Sequence, residues 1–425
     1  MDTKKTVVIS APVDTYSGYG ARARDIVKAL LASAKYDVKI LSQRWGDTRF
    51  GYLADHNETA IQECIIPSLT SRPDIWVQVT IPVEFEPIGT FNIGITAGIE
   101  TTVAKPDWIE GLNRMDLNLV SSKHSKDVFQ AMDYSEQDKK TKKVIRQIKL
   151  NKPVEILLEG ADLNKYFEYT DKQHYTSQYR EVVDTLNGIT ESFCYLFVGH
   201  WLQGDLGHDR KNIGYTVKTF LETFKNKPTP PALILKTSSA TTSVLDREEI
   251  LRRIDSIKKE VNSSKLPNIY LLHGDMTDQE MNALYNHSKI KAMLCLSKGE
   301  GFGRPMLEFT LVGKPVIASG WSGHLDFLDP QLSLLIGGTL EQVHPSATNQ
   351  WISEESQWYK ADDAQATRAI KEVYKNYKTY KEQAKKLKYK NKNNFALSNM
   401  QTKLENYLSE YVPTTPKVVE LNLPK

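Results

Sequence analysis

Two glutamates eight positions apart, Glu300 and Glu308, bracket the run Gly299-Glu300-Gly301-Phe302-Gly303 and the Pro305, Met306 and Leu307 that follow it. Bare backbone amides at a glycine turn and a helix start suit a phosphate. Carboxylates suit hydroxyl groups, since each oxygen accepts more than one hydrogen bond. Cations occur in comparable settings: Arg210 and Lys211 open a helix after the glycine-containing loop from Gly199 to His208, and Lys236 ends an apolar run. Positive charge and amides of this kind stabilise a diphosphate as it gains charge on leaving. Amides for an anion combined with carboxylates for hydroxyls fit a sugar nucleotide better than a free nucleotide. Without further context, the same residues also fit a tight crossover whose two glutamates are merely solvated.

The elements that hold these groups follow from the apolar pattern. Ala292 to Leu296 predicts a buried strand, Pro305 starts a helix carrying Met306, Leu307 and Leu311, and Val316-Ile317-Ala318 is a second buried strand after Lys314-Pro315. In a strand–turn–helix–strand unit the turn lies at the carboxyl edge of a parallel sheet, where ligands bind. Further strands are expected at Cys194–Val198, Ala232–Leu235 and Ile269–Leu272, with a short helix from Asp278 capped by Thr277. Upstream, Thr6–Ala11, Val38–Leu41, Ile75–Val79, Asn92–Thr96, Leu117–Val120 and Val154–Leu158 alternate with helical stretches, which predicts a doubly wound α/β half.

Glu300-Gly301-Phe302-Gly303, Pro305, Glu308 and Gly313-x-Pro315-Val316-Ile317 together resemble the donor-site signature of the glycosyltransferase family 4 type, retaining GT-B enzymes. The resemblance is strongest from Leu294 to Leu328 and weakens toward the N-terminus. It implies two Rossmann-like domains facing a central cleft: an acceptor domain over residues 1–185, with residues 395–425 packing back onto it, and a nucleotide-sugar donor domain over 190–394. It implies that Glu300 holds the sugar's hydroxyls, Glu308 the ribose, and the amides of Gly301, Phe302, Gly303, Met306 and Leu307 the phosphates. Lys211 and Arg210 match the family's pair on the leaving group, although the position six before Lys211 is Asp205 where an arginine is usual. Lys236 is a further cation at the same edge, and Met276 falls where the family contacts the base through backbone. No metal is required when Lys and Arg supply the charge, and no cofactor beyond a UDP- or GDP-sugar co-substrate is implied.

Gly18-Tyr19-Gly20-Ala21-Arg22-Ala23 fits G-x-G-x-x-A, a dinucleotide fingerprint, and so opens the alternative of an NAD-dependent oxidoreductase. The first glycine lies well past the strand end, and Leu41-Ser42-Gln43 has no acid for an adenosine ribose. In the GT-B reading this turn covers the donor phosphates, Gly20 letting the backbone come close; a purely structural turn is the other option. Glu100 resembles a strand-end acid of the family and would orient the acceptor hydroxyl, or else caps a helix. His200 and His208 could be metal ligands, but no third ligand stands at a suitable spacing and they read as exposed loop histidines; His324 is a site residue or a loop histidine, and Ser122 reads as an N-cap.

Balanced charge, +3 in 425 residues with 40% hydrophobic and 25% charged, fits a two- or three-domain globular chain and excludes a wholesale nucleic-acid binder. The three cysteines have no metal-ligand spacing and read as thiols in a reducing compartment. With no signal segment and no membrane-length apolar run, the expected location is cytoplasmic, peripheral membrane attachment being an alternative. Lys139 to Lys152 carries seven cations and no acid. It reads as a solvated face or as a basic margin for an anionic surface or nucleic acid. The acceptor is open among a glycan, a lipid carrier, a protein and a modified nucleobase of DNA, and a non-catalytic sugar-nucleotide-binding protein is a further alternative.

Overall fold

The computed structural model of the chain describes residues 4–138, 140–170, 177–204, 206–239 and 242–414. Runs such as Val7-Val8-Ile9, Trp76-Val77 and Tyr195-Leu196-Phe197 have no polar face, so each must be covered on both sides. That demand is met by two all-parallel six-stranded sheets with helices on their faces. The first contains β1 (Lys5–Ala11), β2 (Tyr36–Ser42), β3 (Ile75–Val79), β4 (Phe91–Thr96) and β5 (Leu117–Val120). An antiparallel hairpin of β6 (Asp133–Gln137) and β7 (Val144–Lys149) follows, and β8 (Val154–Ile156) completes the sheet in the order β2-β1-β3-β4-β5-β8.

The second sheet is built from β9 (Cys194–Val198), β10 (Ala232–Lys236), β11 (Ile269–Leu272), β12 (Ile290–Cys295), β13 (Val316–Ser319) and β14 (Leu334–Ile336). Its order is β11-β10-β9-β12-β13-β14, and a two-stranded ribbon of β15 (Gly338–Gln342) and β16 (Gln357–Ala361) flanks it. Numbered within this sheet alone, the order is that of a dinucleotide-binding fold, which reverses between its first and fourth strands. Here those are β9 and β12. Their carboxyl ends carry Gly199-His200 and Ser297-to-Gly303, so the topology itself brings the two loops together.

The two sheets have separate cores. Helix Gly18–Ser33 packs its Ala23, Ile26, Val27 and Leu30 with β1 and β3 in one of them. The same core takes Met400, Leu404, Tyr407 and Leu408 of helix Leu397–Tyr411, which returns from the end of the chain. A larger core surrounds β9, β10 and β12 and includes Tyr166 from the segment between the sheets.

Two segments differ from the sequence reading. Residues Glu168 to Asn187 are polar with little pattern, as a connection would be, yet they contain helix Ser177–Asn187, whose Leu186 is fully buried. The lysine run, expected as a solvated face, is exposed as read but is largely built as the hairpin of β6 and β7. An exposed hairpin has no buried side to print an alternating pattern on the sequence. Lys139 and most of the proline-containing tail lie outside the described residues.

The halves touch closely where the glycine turn after β12 meets the loop after β4. A Cβ at Gly301 would overlap the carbonyl oxygen of Ala97, whereas one at Gly18 would meet nothing within 4 Å. Gly301→Ala is therefore expected to lower stability by about 1–3 kcal/mol through forced separation of the two loops, and Gly18→Ala to change it by less than about 0.5 kcal/mol. Urea titrations of both variants check this, and equal effects would contradict it.

Candidate functional site

The turn after β12 runs through Lys298, Gly299 and Glu300 to Gly303, which precedes the helix Arg304–Thr310 with Pro305 in its first turn. Glu300 is only 3% exposed. Its amide donates to Ser322 Oγ at 2.9 Å, and both carboxylate oxygens lie 2.8 Å from Lys211 Nζ. Arg210 Nη1 is 3.5 Å from Glu300 Oε2, 3.4 Å from Glu100 Oε1, and donates to the Gly299 carbonyl at 3.1 Å. Burial disfavours the charge on Glu300, but Lys211 and Arg210 outweigh it and hold the carboxyl at about 2. Glu300, Lys211, Arg210 and Glu100 thus form one charged group at the seam between the halves.

The second glutamate lies in a different environment. Glu308 accepts from Arg304 Nε at 3.0 Å, and Arg304 Nη1 reaches Asp25 Oδ2 at 2.5 Å and Glu159 Oε2 at 3.5 Å. One guanidinium cannot neutralise three carboxylates. Burial therefore dominates at Glu308, and its carboxyl is pushed up to about 8, with Asp278 and Asp25 adding to the shift against Arg304.

Glu308 lines a cavity of about 250 Å³ together with Gly18, Arg24, His200, Lys236 and Met276. Asp278 stands in the same wall and holds its surroundings together: it accepts from Lys165 Nζ at 2.6 Å, Tyr166 Oη at 2.8 Å and Tyr52 Oη at 3.4 Å. Lys236 donates to the Gly274 carbonyl, and burial lowers its ammonium. His200 is placed with its Nδ1 3.3 Å from Ser238 Oγ. Crowding by surrounding protein, then the charges of Lys211 and Lys236, push its imidazole down. The Lys211 stem passes within 3.4 Å of where a Gly199 Cβ would stand, and Lys211 and Lys236 are both near enough to His200 to disfavour its charge.

Several expected placements change. Glu308 is in the cavity wall, whereas Glu300 is held by Lys211 and Arg210. Gly20 is required by its own loop, since a Cβ there would strike the Thr15 carbonyl and its amide already donates to the capping Ser17 Oγ at 2.9 Å. Gly18, without such neighbours, is the glycine that faces the cavity.

Phe302, Met306 and Leu307 are core side chains, and the amides of Met306 and Leu307 donate to the Gly303 carbonyl. His324 is no loop histidine: it is fully buried, its Nε2 2.6 Å from the Ser319 carbonyl oxygen. His208, by contrast, stacks on His344. Arg304 was missed, although its position four before Glu308 in the glycine turn was a usable signal. Asp25, Glu159 and Asp278 carry no such signal, because only the fold brings them there. Among the described residues no three His, Cys, Asp or Glu side chains cluster as metal ligands, and no helix is long and apolar enough to cross a membrane.

No protein-family model and no curated protein matches the sequence. Solved structures do. The chain is similar to Anabaena HepE in complex with UDP and glucose (14% identity, TM-score 0.58, 95% of this chain and 99% of that one). It is similar to sucrose-phosphate synthase from Thermosynechococcus elongatus (13%, 0.61, 96% and 99%) and to a glycosyltransferase from Rickettsia africae (12%, 0.64, 97% and 100%). The fold is that of the GT-B glycosyltransferases.

The Glu308 shift has a measurable consequence. Between the ordinary value of 4.5 and about 8 the folded chain holds a proton that the unfolded chain has released. This group's contribution to stability therefore falls as pH rises through that window and is constant above it. Glu308→Gln, neutral at every pH, is expected to flatten that part of a stability-against-pH profile from denaturant titration. An unchanged slope would contradict the assignment.

Proposed function

We propose that the chain is a glycosyltransferase that moves a sugar from a nucleoside diphosphate sugar, of the UDP or GDP class, to an acceptor hydroxyl. The observation that carries this reading is the set of cations Lys211, Arg210 and Lys236, with the His200 imidazole beside them, at the carboxyl edge of the second sheet. Lys236 and His200 line a cavity together with Gly18, at the start of helix Gly18–Ser33, and Glu308 is in the same wall, while Lys211 and Arg210 are held by Glu300. The UDP and glucose found in HepE, which shares the fold, support the donor class.

In this reading the diphosphate lies along these cations and the ribose hydroxyls meet Glu308. As the bond from the anomeric carbon to the diphosphate oxygen breaks, the electron pair passes to the diphosphate, and the cations stabilise it there. Arg210 is held by the Gly299 carbonyl, and before the donor binds Lys211 is held by Glu300. For Glu300 to meet the sugar's hydroxyls, as its place in the motif implies, Lys211 must turn from it toward the diphosphate. Glu100, 3.4 Å from Arg210, stands on the acceptor side and would orient the attacking hydroxyl. The acceptor's proton passes to the departing diphosphate oxygen on the same face of the sugar, and the anomeric configuration is retained. The cations supply the charge that a metal ion supplies in other transferases. The acceptor class we favour is a glycan or glycoconjugate.

Incubation with labelled UDP- and GDP-sugars tests the reading. Release or transfer of the label is expected with one donor class, roughly 10²–10³-fold slower in Lys211→Ala, and NMR of the product is expected to show the donor's anomeric configuration. An inverted product would overturn the same-face step. No turnover of any donor together with undiminished donor binding would make the chain a binding protein instead.

A further inference from the structure

The hairpin of β6 and β7 contributes little to the core, yet it is firmly built at its base. Arg146 pairs with Glu110 at 2.5 Å and with Glu136 at 2.7 Å, Asn113 Nδ2 donates to the Lys149 carbonyl at 2.8 Å, and Tyr134 Oη donates to the Ala104 carbonyl. Ile148 is buried against Phe129 and Trp108 in the core on that face of the first sheet. The base is thus fastened to residues 104–113, a few positions after Glu100.

The tip is composed differently. Its sequence from Asp138 is Asp-Lys-Lys-Thr-Lys-Lys-Val-Ile. The one acid closes the turn: Asp138 Oδ1 accepts from the Lys140 amide at 3.0 Å, the Thr141 amide at 2.6 Å and the Thr141 hydroxyl at 2.9 Å. Lys140, Lys142 and Lys143 are exposed and form no ion pair with any described residue. Beside them Val144 and Ile145 are 57% and 61% exposed. Aliphatic side chains left in water next to unpaired lysines need a partner that takes both.

We propose that this hairpin tip docks the protein on an anionic lipid bilayer, the lysines at the headgroups and Val144 and Ile145 in the interface below them. Juxtaposed basic and aliphatic side chains gain from the negative surface potential and from apolar burial together. A nucleic acid fits less well. It would reward the lysines, but the tip offers no aromatic ring for a base, and the two aliphatics would stay in water. The proposal does not depend on the transferase reading.

Flotation of the full chain with phosphatidylcholine vesicles, with and without phosphatidylglycerol, tests it. Binding is expected to the anionic vesicles only. Replacing Lys140, Lys142 and Lys143 by Ala is expected to weaken it about a hundredfold, as three charges near an anionic surface imply. Val144→Ser with Ile145→Ser is expected to weaken it at least several-fold at a salt concentration the wild type tolerates. Equal flotation with both vesicle types, no flotation, or indifference to either set of substitutions would overturn the proposal. So would duplex DNA displacing the vesicles through the same lysines with no effect of the serine variant.

Discussion

Arg304 is the constraint on which the rest of the arrangement rests. Its guanidinium is shared by Glu308 of its own helix and by Asp25 and Glu159 from the other half of the chain. A buried ion pair adds little net stability, because desolvation offsets the attraction, but removing one partner leaves an uncompensated charge. Its effect here is therefore positional. One guanidinium facing three acids fixes how helix Gly18–Ser33 sits against helix Arg304–Thr310. Burial keeps a proton on Glu308, because this one shared guanidinium does not outweigh it.

The opposite balance prevails at the neighbouring turn. There two cations meet Glu300, with Glu100 beyond, and the result is an ionised carboxylate that pins its partners. Two glutamates of one motif thus have opposite protonation tendencies, set by how many cations each can reach. The glycine at 301 makes this possible, because the loop after β4 comes too close for any side chain there. Seen this way, the motif is as much an adhesive between the two halves as a cradle for a ligand.

Much of the fold was legible in the sequence because strands covered on both faces must be continuous apolar runs. β3, β5, β9 and β11 have the limits read from the pattern alone. The hairpin and helix Ser177–Asn187 were not legible, since exposed elements carry little periodicity. The site residues clustered around Glu300 and Glu308 were readable from one compact motif. What the sequence could not convey was pairing between distant residues: that Lys211 would occupy both oxygens of Glu300, or that Asp25, Glu159 and Arg304 would converge. Gly20 shows the same limit, as a glycine in a ligand-like motif can be required by its own loop.

The account depends on Lys211, Arg210 and Lys236 forming a diphosphate site. Calorimetric titration of UDP and GDP into the wild type and Lys211→Ala tests this most directly. Binding of at least one nucleoside diphosphate, weakened about tenfold or more by the substitution, is the result the account predicts. Binding of neither nucleotide, or equal affinity in both proteins, would contradict it.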